Sequence, residues 1–234
     1  MSWFDFRPYV SVAEQQAAAR KKIAALSKTR KLSPVTISGR KIARTWWGAA
    51  WCANLERYAD YENRIGRGRA YVRNGQVIDL SIAEGRVEAM VMGSELYNIH
   101  IDIDGLSRKT WRKVVESVGR RVGNLAELVE GKFPEALGEI FMRQGEGLFP
   151  APREIHLHCD CPDYAVMCKH VAAVLYGVGA KLDTDPLLFF RLRSIPFEEL
   201  LKKSVDEKMK SLLKNARRKT DRVLTGDIGR IFGL

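Results

Sequence analysis

Three of the four cysteines in this 234-residue chain lie within ten residues of one another, and a histidine follows the third by two positions. The four side chains, Cys159, Cys161, Cys168 and His170, form two close pairs separated by six residues. Two close pairs of sulfur and nitrogen donors on different backbone elements can converge on one point, as a closed tetrahedral zinc site requires. The spacing therefore predicts one Zn²⁺ ion held by these four residues.

The local sequence predicts which backbone elements carry the two pairs. The first pair is expected at a strand end and turn, because Pro162 and Asp163 favour a bend. Apolar residues then recur at helical spacing, at Val171, Val174, Leu175 and Val178. Positions two apart do not share one face of a helix. We therefore expect Cys168 at or before the helix cap and His170 in the first turn.

The alternative is a disulfide or a set of buried thiols. Pairing two of the clustered cysteines leaves the third unpaired, and the polar N-terminus with its acidic residue is unlike a secretory signal. A reducing compartment disfavours disulfides. Zinc is the favoured interpretation.

The ligand order C-x-C, six residues, C-x-H resembles that of the SWIM-type zinc finger, and CPDYAVMCKHVAAVLYGVGAKLD is similar to the bacterial branch of that family. Other segments resemble bacterial SWIM proteins associated with SWI/SNF-type helicases, namely VSVAEQQAAARKKI, LSPVTISGRKIARTWWGAAWCANLERY, RGRAYVRNGQVIDLSIAEGRVEAMVMGSELYNI, GLFPAPREI and DPLLFFRLR. The likeness spans most of residues 10–193. It implies binding to DNA, to protein or to both, with a SWI/SNF-type ATPase as partner. The family pattern has glycine where this chain has Ser194, which bears on local backbone geometry.

The net charge of +11 is unevenly distributed. Residues 15–55 hold nine Lys or Arg and no acid, residues 74–142 hold eight basic and eleven acidic residues, and residues 202–222 hold nine basic and three acidic. Basic blocks on both sides of a neutral middle are typical of a protein that binds a polyanion, and this is favoured over the alternative of solvated faces and tails. We expect sequence-independent contacts to the DNA backbone.

The predicted contacts come from three places in the chain. IGRGR reads as a flexible basic loop, or a plain surface loop, and Lys169 stands between two zinc ligands. The remaining contacts lie in the basic C-terminal helix. The nucleic-acid candidates are Arg64, Arg67, Arg69, Lys169, Lys210, Lys214, Arg217 and Arg218.

The pattern of apolar residues predicts an α+β fold, in which a small antiparallel β-sheet with helices is joined to a zinc-stabilised finger made of a short β turn and a helix. Strands are predicted near 69–73, 76–83, 86–93 and 96–103, separated by Asn-Gly and Glu-Gly turns. Helices are predicted over 13–26, after Ser107, over 122–129 and over 134–142. Two apolar helical stripes are also predicted. The first is rich in aromatic residues and suited to the core, and it consists of Trp47, Trp51, Leu55 and Tyr58. The second lies near the C-terminus and consists of Val205, Met209, Leu212, Leu213 and Ala216.

The predicted organisation is an N-terminal arm and basic helix (1–33), an α+β domain (34–148), the zinc finger region (149–193) and a basic helical tail (194–234). A short helix in LLFFRLR is expected to cover the finger. Part of the apolar surface formed by Val171, Leu175, Leu188 and Phe189 is expected to remain for a protein partner.

We expect no enzyme activity and no small-molecule substrate, because the chain has no P-loop, nucleophile elbow, H-E-x-x-H helix or dinucleotide fingerprint. Four protein ligands also leave zinc no open position for an activated water. One alternative is a nuclease or recombination-associated protein that binds a divalent metal through His100, Asp102 and Asp104, although a solvated strand face explains this trio equally well. Another is a pure adaptor whose basic segments meet an acidic partner. The longest apolar runs are too short for a membrane span, and the resemblance implies the cytoplasm or nucleoid of a prokaryote.

Overall fold

The computed structural model describes residues 10–56, 62–121, 137–143, 146–163 and 165–217. Helices α1 (Val12–Leu26), α2 (Trp46–Glu56) and α3 (Glu62–Arg73) precede strands β1 (Val77–Ala83), β2 (Arg86–Met92) and β3 (Leu96–Ile103). Next come helix α4 (Arg108–Arg121), the one-turn helix α5 (Gly138–Phe141) and strand β4 (Ile155–Cys159). The last described elements are helices α6 (Lys169–Thr184), α7 (Leu188–Leu192) and α8 (Phe197–Arg217).

The four strands form one antiparallel sheet in the order β1-β2-β3-β4. Alternate residues of β2 and β3, such as Val87, Ile99 and Ile101, are buried on one face, while the other face is polar. This period of two is what a half-buried strand requires. The predicted α+β class and three of the four predicted strands are confirmed.

Helix α6 lies at the centre of the core, with apolar residues buried on every side. Two tryptophans of α2 attach to it, because the indole N–H of Trp51 donates to the Leu175 carbonyl and that of Trp47 donates to the Leu182 carbonyl, each at 2.9 Å. Asp183 at the end of α6 accepts the backbone N–H of Thr45 at 3.1 Å, just before α2. The predicted aromatic stripe therefore packs in the core; Tyr58 lies outside the described residues.

The predictions of a strand at 69–73 and of a loop in IGRGR are wrong, because both segments belong to α3. Gly68 explains the difference: a Cβ there would lie 2.5 Å from the Ala172 Cβ and 3.0 Å from backbone atoms of α6. The glycine lets α3 and α6 approach closely. Burial between two helices overrides the low helix propensity of glycine.

The sheet and the core cross the boundary that the sequence analysis placed at residue 148. Strand β4, which leads into the finger, pairs with β3. One buried apolar cluster includes Val35, Leu55 and Val87 together with Val174 and Phe190. The finger therefore shares its core with the sheet and the preceding helices.

The remaining helix predictions have mixed outcomes. Ser107 caps α4 as expected, with its Oγ accepting the Thr110 N–H at 3.1 Å. The helix predicted at 122–129 lies outside the described residues. No helix in the described ranges combines the length and the apolarity needed to cross a bilayer.

The apolar stripe of α8 divides into a buried and an exposed part. Leu200 near its start is fully buried, in the part of the helix that packs beside α4. Further along, four apolar side chains are 47–57% exposed, namely Val205, Met209, Leu212 and Leu213.

Candidate metal centre

The four predicted ligands converge at the junction of β4 and α6. The ligand atoms of Cys159, Cys161, Cys168 and His170 all lie within 4.8 Å of one another. No other group of three or more Cys, His, Asp or Glu side chains among the described residues is close enough to hold a metal ion. The sequence-predicted constellation therefore exists in the fold.

Local structure places each ligand as expected. Cys159 ends β4, opposite Ile99 of β3, and Cys161 lies in the bend that follows. Cys168 is the N-cap of α6, where its Sγ accepts the Val171 N–H at 3.4 Å. His170 lies in the first turn of α6. Because Cys168 precedes the helix and has an extended backbone, the two side chains can face one point although they are only two positions apart.

The distances suit a tetrahedral ion with sulfur and nitrogen ligands. The Nδ1 atom of His170 lies 3.8 Å from the Cys159 Sγ and 3.9 Å from the Cys168 Sγ. Zinc–sulfur and zinc–nitrogen distances of about 2.3 and 2.0–2.1 Å correspond to a nitrogen–sulfur edge of about 3.6 Å in a tetrahedron. The donor set fits zinc, with Nδ1 as the ligating atom of His170.

The three thiols differ in how readily they lose a proton. The pKa of the Cys168 thiol is lowered to about 4 because the Cys159 thiol donates a hydrogen bond to it, with further help from His170 and the Val171 N–H. The same contact raises the pKa of Cys159, whereas burial is the main cause that raises the pKa of Cys161. Negative charge is thus held at the N-terminus of α6, where the helix dipole stabilises it.

Aromatic rings and a glycine hold the imidazole of His170. Its ring stacks on Tyr97 with centroids 4.4 Å apart and meets Tyr71 edge-on at 5.4 Å. The Nε2 atom is buried and has no hydrogen-bond partner among the described residues. A Cβ on Gly93 would lie only 2.9 Å from that atom. Packing therefore orients the His170 ring. In many other metal-binding histidines, a hydrogen bond on the second ring nitrogen does this instead.

Two carboxylates fasten the turns that carry the cysteines. Asp160 accepts the backbone N–H of Asn98 at 3.0 Å and its side-chain amide at 2.9 Å, which ties the Cys159–Cys161 turn to β3. Asp163 forms a two-point ion pair with Arg64 of α3, at 2.8 and 3.1 Å. The sequence analysis assigned no site role to either carboxylate, and their neighbours in the chain gave no signal of one.

The predicted nucleic-acid contacts are dispersed in the structure. Arg64 forms an ion pair with Asp163, and Arg69 forms one with Glu56. The prediction that these arginines lie in a flexible loop is therefore wrong. Arg67 is exposed, and Lys169 lies with its Nζ 5.8 Å from the Tyr71 ring centre.

The C-terminal candidates differ in what surrounds them. Lys210 and Lys214 are exposed on α8, where Lys210 pairs with Glu207 at 3.2 Å. Arg217 ends that helix, and Arg218 lies outside the described residues.

Most of the surface predicted to bind a protein partner is buried in the core of the protein. Val171, Leu175 and Phe189 are each no more than 4% exposed, and Leu188 is half-buried. Val171 and Leu175 lie on α6, which is apolar all round, and such a helix belongs inside a core. Docking on this surface is therefore contradicted.

The trio of the nuclease alternative does not converge in the described structure. His100 pairs with Glu88 at 3.5 Å, Asp102 with Arg86 at 2.8 Å and Asp104 with His156 at 3.0 Å. Each is an exposed pair on the polar face of the sheet or at its edge. The solvated strand face is thus the better account of these residues.

The remaining cysteine outside the centre shows no sign of reactivity. Burial raises the pKa of the Cys52 thiol to about 12. A thiol of that pKa stays protonated at neutral pH and is a poor nucleophile.

Comparison with known proteins supports the assignment of the centre. Residues 145–178 match the family model of the SWIM zinc finger. This segment includes all four ligands and the first half of α6. The chain therefore carries a SWIM-type zinc finger.

A relative extends the likeness beyond the finger. The chain is 40% identical over 163 residues to the uncharacterized protein Rv2102 of Mycobacterium tuberculosis. The aligned part covers 68% of this chain and 58% of that protein, so the chain spans less than two thirds of the relative's length. No solved structure gives a significant match.

Proposed function

We propose that this SWIM zinc finger protein is a non-catalytic, zinc-binding accessory protein of the prokaryotic cytoplasm or nucleoid that binds DNA without reading its sequence. The observation that carries the proposal is the centre itself: four protein donors converge at the N-terminus of the most buried helix. Such a centre suits an ion that supports structure. With all four positions filled, zinc would have none left for an activated water.

Zinc would be bound by Cys159, Cys161, Cys168 and His170, and the test is metal analysis after mild purification. We expect about one zinc per chain in the parent and its loss in a Cys161→Ser/Cys168→Ser variant. Cys52→Ser is the matched control, because its thiol lies outside the centre. Stoichiometric zinc in the double variant would contradict the ligand assignment.

DNA binding is supported by the charge distribution and by exposed basic side chains on several helices. The net charge is +11, and α4 exposes Arg108, Lys109 and Arg112, which have no ion pair with any described residue. Contacts of this kind neutralise phosphates and release counterions, so affinity falls steeply as salt rises. We expect equal binding to DNA oligonucleotides of unrelated sequence, measured by fluorescence anisotropy. Binding that changes little between low and high salt would contradict the proposal.

A second candidate function is association with a SWI/SNF-type ATPase, which the family resemblance implies. The observation that favours a protein partner is the exposed apolar stripe of α8. We expect a tagged parent to recover the ATPase from its native cells, and a Leu212→Asp/Leu213→Asp variant to lose it. Val166→Asp is the control, because Val166 is an apolar residue exposed elsewhere. A parent that recovers no such ATPase would contradict the association, and equal recovery by the double variant would exclude α8 as the docking surface.

A further inference from the structure

Two neighbouring clefts near α1, α2 and α3 share one arginine. The first has a volume of about 410 Å³ and is lined by the basic side chains of Lys41, Arg44, Arg69 and Arg73. The second has a volume of about 270 Å³ and is lined by Arg20 of α1, again by Arg73, and by the segment Pro34–Ile37. Arg73 lines both clefts, which are together called here the basic groove.

Basic side chains outnumber carboxylates in the described lining of the basic groove. Among the described residues that line it, Glu56 is the one carboxylate. That carboxylate is already engaged, because Arg69 forms an ion pair with it and the Tyr176 hydroxyl donates to it at 2.8 Å. The remaining four basic side chains therefore face the groove without an acidic partner in its described lining.

Two of these arginines are held in place by neutral groups. The Arg73 Nη2 donates to the Arg40 carbonyl at 3.0 Å, and the Arg44 Nη2 donates to the Ser38 carbonyl at 2.6 Å. A backbone carbonyl orients a guanidinium and leaves its full charge. An arginine oriented in this way is prepared for a phosphate, to which it can present two parallel N–H donors.

The size and lining of the groove indicate a strand of nucleic acid bound through its phosphates. Volumes of 410 and 270 Å³ are on the scale of pockets for small molecules, so each cleft has room for about one nucleotide unit and none for a duplex. Tyr176 is the aromatic residue in the described lining, and its hydroxyl is occupied by Arg69 and Glu56. Tyr176 is also only 1% exposed, so the described lining offers no accessible ring for stacking, and recognition would rest on the backbone.

We infer that the basic groove binds the phosphodiester backbone of a single nucleic-acid strand, with phosphates passing from Arg20 over Arg73 to Lys41 and Arg44. The inference rests on the proposed DNA binding and names the surface and the form of the ligand. The polar face of the sheet and the outer side of α8 would then contribute little.

The test compares two variants that change the charge equally. Lys41→Glu/Arg73→Glu alters the groove, and Lys210→Glu/Lys214→Glu alters α8, where both side chains are exposed. Anisotropy is measured with a labelled 20-nucleotide oligothymidine over a range of salt concentrations, after near-ultraviolet circular dichroism and zinc content show that both variants match the parent. We expect the groove variant to bind at least tenfold more weakly at low salt, and its salt slope to fall by about 1.4, for two lost phosphate contacts. The α8 variant should stay within about threefold of the parent by the same reasoning.

The outcomes separate this inference from the proposed function. A parent that binds oligothymidine while the groove variant binds no worse than the α8 variant overturns the groove and leaves DNA binding intact. A parent that binds neither oligothymidine nor a duplex overturns the proposed DNA binding itself. A parent that prefers the duplex, or that releases oligothymidine to stoichiometric inorganic pyrophosphate, overturns the single strand as ligand.

Discussion

Replacing Gly93 with alanine tests how the packing around His170 supports the metal centre. A Cβ at this position would lie 2.9 Å from the His170 Nε2 and 2.9 Å from the Tyr97 Cε2. Carbon atoms in protein interiors meet at about 3.5–4.0 Å, so the imidazole or the tyrosine ring must move. The imidazole already stacks on Tyr97 at 4.4 Å and meets the Tyr71 ring edge-on at 5.4 Å, so it has little room to move.

The size of the effect follows from the cost of overpacking, which is about 1–3 kcal/mol for an added methyl-sized group in a filled site. If the clash acts only on the zinc-bound arrangement, zinc affinity should fall roughly 5- to 140-fold, since about 1.4 kcal/mol corresponds to a factor of ten. If the ring occupies the same place with and without zinc, the same free energy should instead be lost from folding. In both cases the zinc-loaded protein becomes less stable toward urea.

The assay is a urea titration of zinc-loaded Gly93→Ala together with a competition titration against a chromogenic zinc chelator. Gly66→Ala is the matched control, because Gly66 lies in α3 and a Cβ there would meet no atom within 4 Å. Alanine should stabilise that exposed helical position by up to about 1 kcal/mol and leave zinc affinity unchanged. A Gly93→Ala protein with parental stability and parental zinc affinity would refute the role assigned to this contact.

Three further changes test the fold around the centre. Ser194→Gly should raise the free energy of unfolding in urea by about 1 kcal/mol, because Ser194 has a φ of 51°, where a side chain is strained; an equal gain in Ser194→Ala would contradict this cause. Arg193→Met should lower that free energy by about 3 kcal/mol. The reason is that the buried guanidinium of Arg193 donates to the Asp104 carbonyl at 2.7 Å and pairs with Glu154. An unfolding midpoint equal to that of the parent would show that both contacts are dispensable. Gly68→Ala should destabilise by about 1–3 kcal/mol through the clash with α6, and unchanged stability would mean that α3 can move away at little cost.

The metal centre could be predicted from the sequence because its information is local. Twelve consecutive residues contain all four donors, and the rule that positions two apart cannot share a helix face already placed Cys168 at the cap. The first three strands were predicted for the same reason, since alternation and turn residues lie within one segment. Ser194 is a further case: the departure from the family's glycine falls on a residue with positive φ.

The structural features that the sequence did not predict depend on contacts between residues far apart in the chain. The segment from 69 to 73 was predicted as a strand, but it forms part of a helix that lies against α6 where Gly68 meets Ala172. Arg64 looked free because Asp163, its partner, lies 99 positions further on. The buried partner surface is a different case: α6 is apolar on all sides, and that signal in the sequence already favoured a core helix over a docking face.

The position of α6 determines how far the loss of zinc should spread. A finger that folded only with its metal would unfold from Glu154 to about Arg193 when zinc is removed. In the structure, α6 has anchors of its own beyond the first turn, since the Leu175 and Leu182 carbonyls accept the indole N–H groups of α2. Zinc removal by a chelator should therefore raise amide hydrogen exchange at the ligand turns and in the first turn of α6, while the second half of α6 stays protected. Uniform loss of protection from β4 through α7 would show instead that the finger unfolds as one unit, and the anchors in α2 would then be too weak to hold the helix without its metal.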